Sequence, residues 1–325
     1  MNVAKVSQYL LKTGQPKFRV NQVLENYYLA KFNSFEEMTN ISKDLRFKLS
    51  ENFSFLSVKE NDMVESKNSL KAKLKLADKL DIETVLLKYK DWNTVCVSTQ
   101  VGCAMGCRFC ATGSMGFKRN LTTEEIVDQI IYWKQKGIDT SRIVFMGMGE
   151  PFMNWQNVKQ SLIEINRNLK IGWRKMTVST VGIIEGIEEF ISWGQQVNLA
   201  ISLHSLNQEI REKIMPATKV YKLNELIKSC HKYTNQSKRL LFFEYALMDG
   251  INDTDTDAHK LADLVNSNKL FFANIIKLNM VKTSKIKPSK RVDQFCRILD
   301  VNRVKYSRRM SMGGEIKGAC GQLVV

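Results

Sequence analysis

The chain has 325 residues, of which 44% are hydrophobic and 25% are charged, values that are typical of a folded globular protein and exclude a largely disordered one. Lysine and arginine number 49 against 33 acidic residues, and the net charge of +16 favours a polyanionic partner. No apolar run approaches the ~18 residues of a membrane helix, and the first residues lack the apolar core of a secretory signal, so we expect a cytoplasmic protein without membrane association.

The beginning of the chain has the pattern of helices. Apolar residues recur at the spacing of a helical face, as in Val20, Val23 and Tyr27, and Pro16 interrupts the pattern. We predict a small helical N-terminal domain over 1–52, which we expect to contact RNA if the polyanionic partner is RNA.

The next segment changes to the pattern of strands. Apolar and basic residues alternate over 69–76, and residues 81–89 are rich in β-branched and other apolar residues. We predict connecting strands over 53–91 and a main domain over 92–325.

Within the main domain, short apolar segments alternate with amphipathic helical stretches. The predicted strands cover residues 94–99, 142–147, 176–180, 198–203, 240–247, 273–278 and 303–308. Strand–helix units repeated at this pitch imply parallel strands joined by right-handed crossovers. We therefore predict an α/β fold, a partial (β/α)6 barrel of the TIM type, with a doubly wound sheet as the alternative. In a barrel the chemistry lies at the C-terminal ends of the strands.

Basic residues are concentrated near the end of the chain. Residues 271–310 hold eleven Lys and Arg against two Asp, so this stretch supplies +9 of the net charge of +16. The concentration favours binding of RNA or DNA, and general solubility is the alternative explanation. The candidate phosphate contacts are Lys282, Lys285, Lys287, Lys290, Arg291, Arg303, Lys305, Arg308 and Arg309.

Seven cysteines in a chain expected in a reducing compartment indicate metal ligands, catalytic thiols or packing residues. Cys103, Cys107 and Cys110 form a CxxxCxxC motif just after the first predicted strand of the barrel. Three thiolates can hold three irons of a cubane cluster and leave the fourth open to a ligand, because closed clusters use four cysteines. The alternative is a structural zinc site with Cys96 or His204 as its fourth ligand.

This cysteine motif in the first loop of an α/β barrel is similar to that of the radical S-adenosylmethionine (SAM) superfamily. From about residue 15 to its end, the chain resembles the RlmN/Cfr family of RNA adenine methyltransferases. The stretches that carry the resemblance are FEEMTNISKDLR at 35–46, VSTQVGCAMGCRFCATGSMGFKRNLTTEEI at 97–126, GMGEP at 147–151, STVGII at 179–184, AISLHS at 200–205 and ACGQL at 319–323.

The resemblance implies a set of cofactors and the residues that bind them. It implies one 4Fe–4S cluster on Cys103, Cys107 and Cys110, with the open iron chelated by the amino and carboxylate groups of SAM. It also implies that two SAM molecules are used per turnover. The implied SAM-binding residues lie at the ends of predicted strands, and they are Gly149, Glu150, Ser179, Ser202, Leu203, His204 and Asn279.

Two further thiols and one carboxylate complete the implied mechanism. One SAM methylates Cys320, and a radical derived from a second SAM removes hydrogen from that S-methyl group. The methylene radical adds to an adenine ring, for which Glu83 is the implied proton acceptor. Cys96 then resolves the protein–RNA adduct, which leaves a transient disulfide between Cys96 and Cys320.

The family contains enzymes that methylate C2 of adenine (RlmN type) and enzymes that methylate C8 (Cfr type). Met105 and Pro151 resemble the RlmN type, so the expected target is C2 of an adenosine in the peptidyl-transferase centre of 23S rRNA. The resemblance leaves open a tRNA adenosine next to the anticodon as a second substrate, and Cfr-type C8 methylation with ribosomal antibiotic resistance as an alternative activity. The alternative of another class is a non-catalytic, metal-containing nucleic-acid-binding protein, which has no need of Cys320.

The resemblance also indicates partners besides RNA. A reductant such as flavodoxin or ferredoxin would supply electrons to the cluster, and the enzyme is expected to act as a monomer. The loop over 280–288 and the tail segment 315–318 depart from the family pattern, which affects the expected substrate recognition but not the cluster, SAM or thiol positions.

Overall fold

The structure is a computed structural model, and it describes residues 1–309 and 312–325. The chain begins with three helices, α1 (Val3–Lys12), α2 (Lys17–Tyr28) and α3 (Lys43–Asn52). Side-chain caps begin two of them, because Asn2 accepts a hydrogen bond from the amide of Lys5 and Ser42 accepts one from the amide of Leu45. Their apolar faces bury Leu10 and other residues in one hydrophobic core with the rest of the chain.

Three antiparallel strands follow the helices and continue into the barrel sheet. They are β1 (Val58–Ser66), β2 (Ser69–Leu76) and β3 (Asp81–Lys88), and β3 pairs antiparallel with β4 (Asn93–Cys96). The alternation over 69–76 therefore marks a real strand. The face of β2 that holds Ala72 and Leu74 is buried, while most of β1 is exposed.

The cysteine motif lies between two very short strands. These are β5 (Gln100–Gly102) and β6 (Phe117–Asn120), which pair antiparallel in a small separate sheet. The hairpin of β5 and β6 was not predicted from the sequence.

The remaining strands run parallel to β4. They are β7 (Arg142–Phe145), β8 (Met176–Thr180), β9 (Asn198–Ser202), β10 (Leu241–Leu247), β11 (Phe271–Lys277) and β12 (Tyr306–Arg309). In the sheet they stand in chain order, β4-β7-β8-β9-β10-β11-β12. A doubly wound sheet reverses its strand order at a switch point, so this alternative is wrong and the partial barrel is confirmed. Within the described residues no hydrogen-bond ladder joins β4 to β12, and the barrel is open between them.

Helices connect the strands on the outside of this sheet. They are α4 (Ala111–Ser114), α5 (Thr123–Gln135), α6 (Trp155–Asn168), α7 (Ile184–Trp193), α8 (Gln208–Ile214), α9 (Leu223–Ser237), α10 (Asp255–Asn266) and α11 (Val292–Val301). Among the described residues, no helix has both the length and the hydropathy of a membrane span.

A buried carboxylate joins the N-terminal helices to the barrel. Asp128 of α5 is fully buried, and its oxygens accept hydrogen bonds from the hydroxyl of Tyr27 and from the amide and hydroxyl of Ser57 at 2.6 and 2.7 Å. The amino group of Met1 also lies 2.5 Å from this carboxylate. The helices at the start of the chain are thus packed firmly on the outer face of the barrel.

Candidate functional site

A cavity of about 170 Å³ lies at the C-terminal ends of the parallel strands. Its walls bring together most of the residues singled out in the sequence: Cys103, Cys107, Cys110, Gly149, Glu150, Ser179, Ser202, His204, Asn279 and Cys320. Leu203, Cys96 and Glu83 do not line this cavity. Residues from six chain segments therefore meet where the fold of a parallel barrel places its chemistry.

The hairpin of β5 and β6 closes the loop that carries the three cysteines. Gly102 has a φ of +75°, and a Cβ atom there would lie 1.9 Å from the carbonyl oxygen of Gly116. The amide of Cys103 donates to that same carbonyl at 3.0 Å. Only glycine allows this close approach, so the two ends of the cysteine loop, at Gly102 and Gly116, are held together.

The three cysteines are half-buried, and this burial raises the pKa values of their thiols. The pKa of Cys103 rises to about 12, that of Cys107 rises well above its ordinary value, and that of Cys110 rises as well. Buried thiols of this kind lose their protons only to a strong cationic partner, such as a metal centre. Among the described residues, no three His, Cys, Asp or Glu side chains converge closely enough to hold a single metal ion. A cubane cluster takes one thiolate per iron, so the three cysteines fit it without converging on one point.

The GMGEP loop brings its backbone against the β5 strand. Gly149 has a φ of +105°, and a Cβ atom there would lie 2.6 Å from the side chain of Gln100. The side-chain oxygen of Gln100 accepts a hydrogen bond from the amide of Glu150 at 2.9 Å. A residue larger than glycine would push the loop away from the cavity and break this contact.

Glu150 presents a buried carboxylate to the cavity. Its two oxygens accept hydrogen bonds from the amides of Phe152 and Val181, at 3.1 and 2.8 Å. Burial raises the pKa of this carboxyl group to about 7, although the hydrogen bonds oppose the shift. Near neutral pH, a ligand that brings an N–H donor or a positive charge to this carboxyl group therefore stabilises its ionised form.

His204 contributes a neutral imidazole. Its Nδ1 accepts a hydrogen bond from the amide of Ala246 at 3.0 Å, and burial, aided by the charge of Arg211, lowers the pKa of the ring to about 3. The proton is therefore on Nε2, the other ring nitrogen. Phe109 of the cysteine loop packs edge-on against the ring, with the centroids 4.8 Å apart. The preceding residue, Leu203, has a fully buried side chain, and its backbone amide donates a hydrogen bond to the carbonyl of Glu244.

The C-terminal tail folds back onto the cysteine loop. The side chain of Asn279 donates to the carbonyl of Cys320 at 3.2 Å, and the hydroxyl of Thr112 donates to the carbonyl of Leu323 at 2.7 Å. The Cys320 side chain lines the same cavity as the three loop cysteines and is exposed. The backbone from Cys320 to Leu323 is thus held against the rest of the site.

A second, smaller cavity of about 80 Å³ adjoins the first. Cys96 of β4, Arg309 of β12 and Cys320 of the tail all line it, so it lies at the open edge of the barrel. Burial raises the pKa of the Cys96 thiol to about 12, and the neighbouring Cys320 thiol adds to the shift. The structure therefore brings Cys96 and Cys320 to one small space from opposite ends of the main domain.

Arg309, which the sequence suggested as a candidate phosphate contact, lines both cavities of this site. Its guanidinium contacts Glu244 of β10 at 3.2 Å and the sulfur of Met146 at 3.6 Å, and the neighbouring Cys320 raises its pKa. Glu244 is fixed in turn by the side-chain amide of Asn274 at 2.9 Å. A glutamate inside an otherwise apolar barrel strand is the sequence signal that could have revealed this group.

Arg303 and Lys305 are exposed and form no ion pair within the described residues, although the ammonium group of Lys305 donates to the carbonyl of Lys269 at 3.0 Å. The other basic candidates of the C-terminal stretch fall into two classes. Arg291 and Arg308 are bound to Asp255 and Asp293, at 2.5 and 2.6 Å. The four exposed lysines of the loop after β11 form no ion pair within the described part of the chain, and these are Lys282, Lys285, Lys287 and Lys290.

Glu83 of β3 lies behind the tail. One carboxylate oxygen pairs with the ammonium group of Lys71 and the other accepts a hydrogen bond from the amide of Val324, both at 2.7 Å. Burial raises the pKa of Glu83, and Lys71 opposes the shift. In this structure the carboxylate contacts the tail four residues beyond Cys320 and not the wall of the larger cavity.

Comparison with known proteins places this site in a family. Residues 97–262 match the family model described as the radical SAM superfamily, and residues 1–55 match that of the ribosomal RNA large subunit methyltransferase N-terminal domain. A protein of Caldanaerobacter subterraneus subsp. tengcongensis, described as a probable dual-specificity RNA methyltransferase RlmN, is 40% identical over 99% of this chain and 96% of its own length. This chain belongs to the RlmN family of radical SAM methyltransferases.

Other RlmN relatives and one solved structure agree with this assignment. The probable dual-specificity RNA methyltransferase RlmN of Bacillus subtilis is 40% identical over 98% of this chain and 90% of its own length. The crystal structure of a radical SAM methyltransferase from Sphaerobacter thermophilus superposes with a TM-score of 0.94 at 35% identity, covering 99% of this chain and 97% of that one. Membership of the RlmN family makes SAM and an iron–sulfur cluster the cofactors of this enzyme.

Proposed function

We propose that this protein methylates C2 of an adenosine in the peptidyl-transferase centre of 23S rRNA, and an adenosine next to the tRNA anticodon, through an S-methylcysteine at Cys320. The observation that carries the proposal is that Cys320, from the tail, lines one cavity with Cys103, Cys107 and Cys110. A protein that only binds nucleic acid has no use for a thiol in a tail that Asn279, Thr112 and Ala111 hold beside the cysteine loop by hydrogen bonds. The relatives' description as dual-specificity RNA methyltransferases supports both RNA substrates.

The binding roles follow from the cavity wall. Cys103, Cys107 and Cys110 hold one 4Fe–4S cluster, and two SAM molecules are used per turnover. The Glu150 carboxylate accepts a hydrogen bond from the amino group of SAM, close to the exposed backbone of Gly149. Ser179, Ser202, the Leu203 backbone, His204 and Asn279 bind the rest of the molecule. When bound, cluster and SAM together supply the radical that removes a hydrogen atom from the S-methyl group.

Three residues of the chain carry the transfer itself. Cys320 attacks the methyl carbon of the first SAM as a thiolate, and S-adenosylhomocysteine leaves as its sulfonium sulfur takes the electron pair of the broken bond. Glu83, whose pKa is raised by burial, accepts the proton lost from the adenine carbon. The Cys96 thiolate then attacks the sulfur of Cys320 and forms a disulfide with it. The bond between that sulfur and the methylene carbon breaks with its electron pair on carbon, and the carbon takes up a proton to become the methyl group of the released base.

The exposed lysines at 282, 285, 287 and 290 supply the RNA-binding surface. They follow β11, so they lie beside the mouth of the cavity, where their charges can contact phosphates on either side of the target. The adenine itself must leave its stack to reach Cys320. The protein acts in the cytoplasm as a monomer, and a flavodoxin- or ferredoxin-type protein provides its electrons.

Mass spectrometry of nucleosides tests the proposal. Digested 23S rRNA and tRNA from cells with and without the gene are compared, with cells expressing Cys320→Ala as the control for catalysis. We expect 2-methyladenosine in both RNAs only when the intact gene is present. Detection of 8-methyladenosine in its place would assign the activity to the Cfr type, and unchanged nucleosides in both RNAs would contradict the function.

A further inference from the structure

Arg211 of α8 is a fully buried arginine with no anionic partner in the described part of the chain. Its Nη2 donates to the carbonyl of Val181 at 3.0 Å, while its Nε and Nη1 have no hydrogen-bond partner among the described residues. Burial lowers the pKa of the guanidinium to about 10, so the group is still charged at neutral pH. An unpaired buried charge costs several kcal/mol, and a fold keeps one only where something compensates it.

The position of Arg211 indicates what the compensating group is. The end of α8 is bound to the cysteine loop, because the amide of Arg108 donates to the carbonyl of Ile214 at 2.9 Å. The same loop approaches the residue after the helix, since a Cβ atom on Gly106 would lie 3.8 Å from Pro216. Arg211 is thus packed directly behind the loop that carries the three cysteines.

The one hydrogen bond of Arg211 leads to the cavity that holds the three loop cysteines. Its Nη2 donates to the carbonyl of Val181, and Val181 lines that cavity together with Cys103, Cys107 and Cys110. The titratable side chains that interact with Arg211 are His204, Cys107 and Cys230, and none of them is an acidic residue. The anion that matches the buried guanidinium is therefore the ligated cluster.

We propose that Arg211 is the electrostatic partner of the iron–sulfur cluster and raises its reduction potential. The inference rests on the proposed cluster at Cys103, Cys107 and Cys110. Three thiolates outweigh the charge of an oxidised cubane core, so the ligated cluster is an anion, and an added electron makes it more negative. A fixed cation behind it stabilises the reduced state more than the oxidised state. The net charge of the site and hydrogen bonds to the sulfurs are the factors that set such potentials.

The test compares two substitutions of Arg211 that separate its charge from its hydrogen bond. Arg211→Gln removes the charge and keeps an N–H donor for Val181, whereas Arg211→Lys keeps the charge. Arg108→Met is the matched control, because Arg108 is an exposed arginine in the same loop whose charge is screened by water. Each protein is reconstituted with iron and sulfide without oxygen, and its potential is measured by a redox titration followed by electron paramagnetic resonance, with SAM absent.

We expect the ratio of reduced to oxidised cluster at a fixed potential to fall about tenfold in Arg211→Gln, which for a one-electron couple is a shift of about 59 mV to lower potential. Arg211→Lys and Arg108→Met should titrate close to the unsubstituted protein. Assembly of the cluster in Arg211→Lys but not in Arg211→Gln would also support a requirement for the charge. Equal potentials in the unsubstituted protein and Arg211→Gln, or loss of the cluster from both Arg211 variants, would overturn the inference.

Unfolding of the apoproteins separates this role from a merely structural one. Without the cluster, Arg211→Gln should be as stable as the unsubstituted apoprotein or more stable, because an uncompensated buried charge has been removed. A less stable apoprotein combined with an unchanged potential would assign Arg211 to packing alone. If the unsubstituted protein binds no cluster, the proposed function itself fails, which is a different result from an unchanged potential.

Discussion

The amide of Ala111 donates a hydrogen bond to the carbonyl of Gly321 at 2.7 Å, so the residue after Cys110 is bound to the residue after Cys320. The two cysteines belong to segments that are far apart in the chain, yet the backbone holds them at one cavity. Because the contact uses main-chain atoms, it leaves both thiols available for chemistry. The contact thus keeps the tail next to the loop that carries the three cysteines.

The Cys320 thiol should be required for methyl transfer to RNA but not for cluster binding or SAM cleavage. Cys320→Ala keeps the loop cysteines and every hydrogen bond of the tail backbone, so the protein should bind the cluster and cleave SAM as before. It should transfer no methyl group to RNA, because no acceptor is left in the cavity. Anaerobic assays of 5′-deoxyadenosine formation and RNA methylation measure the two activities. Cys296→Ala, which alters a buried cysteine of α11, is the control, and methylation by Cys320→Ala at the rate of this control would remove the tail from the mechanism.

Loss of the Cys96 thiol should block release of the product and not the attack on RNA. Cys96→Ala can still be methylated at Cys320 and can still form the adduct with adenine, but it cannot release the product. A covalent protein–RNA species linked through Cys320 should therefore accumulate. It would be seen as a shift in protein mass that nuclease treatment reduces to a single nucleotide. The double variant Cys96→Ala/Cys320→Ala is the control, and an adduct in it, or none in Cys96→Ala that cleaves SAM, would contradict the roles of both thiols.

The loop cysteines should each be necessary for the cluster. Reconstituted protein should hold about four irons and four sulfides per chain, and Ala at Cys103, Cys107 or Cys110 should lower this content and abolish SAM cleavage. Cys230→Ala, a change at a buried cysteine of α9, should leave the iron content unchanged. Stoichiometric zinc without sulfide, in protein prepared without exposure to oxygen, would favour the structural zinc site.

Binding of SAM should depend on pH through Glu150. Its pKa of about 7 means that the carboxyl group is protonated below neutrality and ionised above it. Because the charged carboxylate binds the amino group of SAM much more strongly than the neutral carboxyl group does, affinity should fall by about tenfold per pH unit below pH 7, as linkage to one proton requires. Equilibrium dialysis of holoenzyme with SAM between pH 5.5 and 7.5 measures the slope.

Glu150→Gln tests whether Glu150 causes this pH dependence of SAM affinity. Its amide oxygen still accepts one hydrogen bond but does not titrate, so the step near pH 7 should disappear, while the titration of the SAM amino group persists. The raised pKa also means that the folded protein binds more protons than the unfolded chain between pH 4.5 and 7, so this group's contribution to stability decreases as pH rises through that window. An unchanged slope in Glu150→Gln would show that another group controls SAM binding.

RNA affinity should depend on the unpaired lysines beside the cavity. Lys285→Glu/Lys287→Glu should weaken RNA binding and reduce the slope of log affinity against log salt by about two, because each lost phosphate contact lowers it by about one. The control is Lys228→Glu/Lys260→Glu, which makes the same charge change on α9 and α10. Equal slopes in the two variants would mean that net charge alone, and not this loop, binds the RNA.

The strand pattern of the barrel was largely predictable from the sequence, because buried parallel strands are short apolar runs separated by amphipathic helices. The segment predicted at 240–247 is β10, and that at 198–203 is β9. The last strand starts at Tyr306, three residues later than predicted, since Arg303 adopts a φ of +53° in the turn before it. The hairpin around the cysteine loop was missed because strands of three or four residues have too few positions to display an alternation.

The site residues that belong to a sequence motif were predictable. Those that meet only because the fold brings distant parts of the chain together were not. The cysteines and GMGEP stand out by spacing and composition. Arg309 and Glu244 face each other only because β10 and β12 are brought together by a curved sheet, and a sequence read strand by strand does not contain that contact. Arg211 was invisible for a related reason, since an arginine in an amphipathic helix is usually a surface residue, and only the packing of α8 behind the cysteine loop buries it.

The gap between β4 and β12 gives two distant cysteines a common space. The outer edge of β4 pairs with β3, whereas β12 ends the sheet and has no strand beside it on that side among the described residues. The small cavity in this gap is lined by Cys96 of β4, Arg309 of β12 and Cys320 of the tail. A barrel in which β12 paired directly with β4 would fill this space with backbone. Cys96 and Cys320 would then have no shared cavity in which to meet.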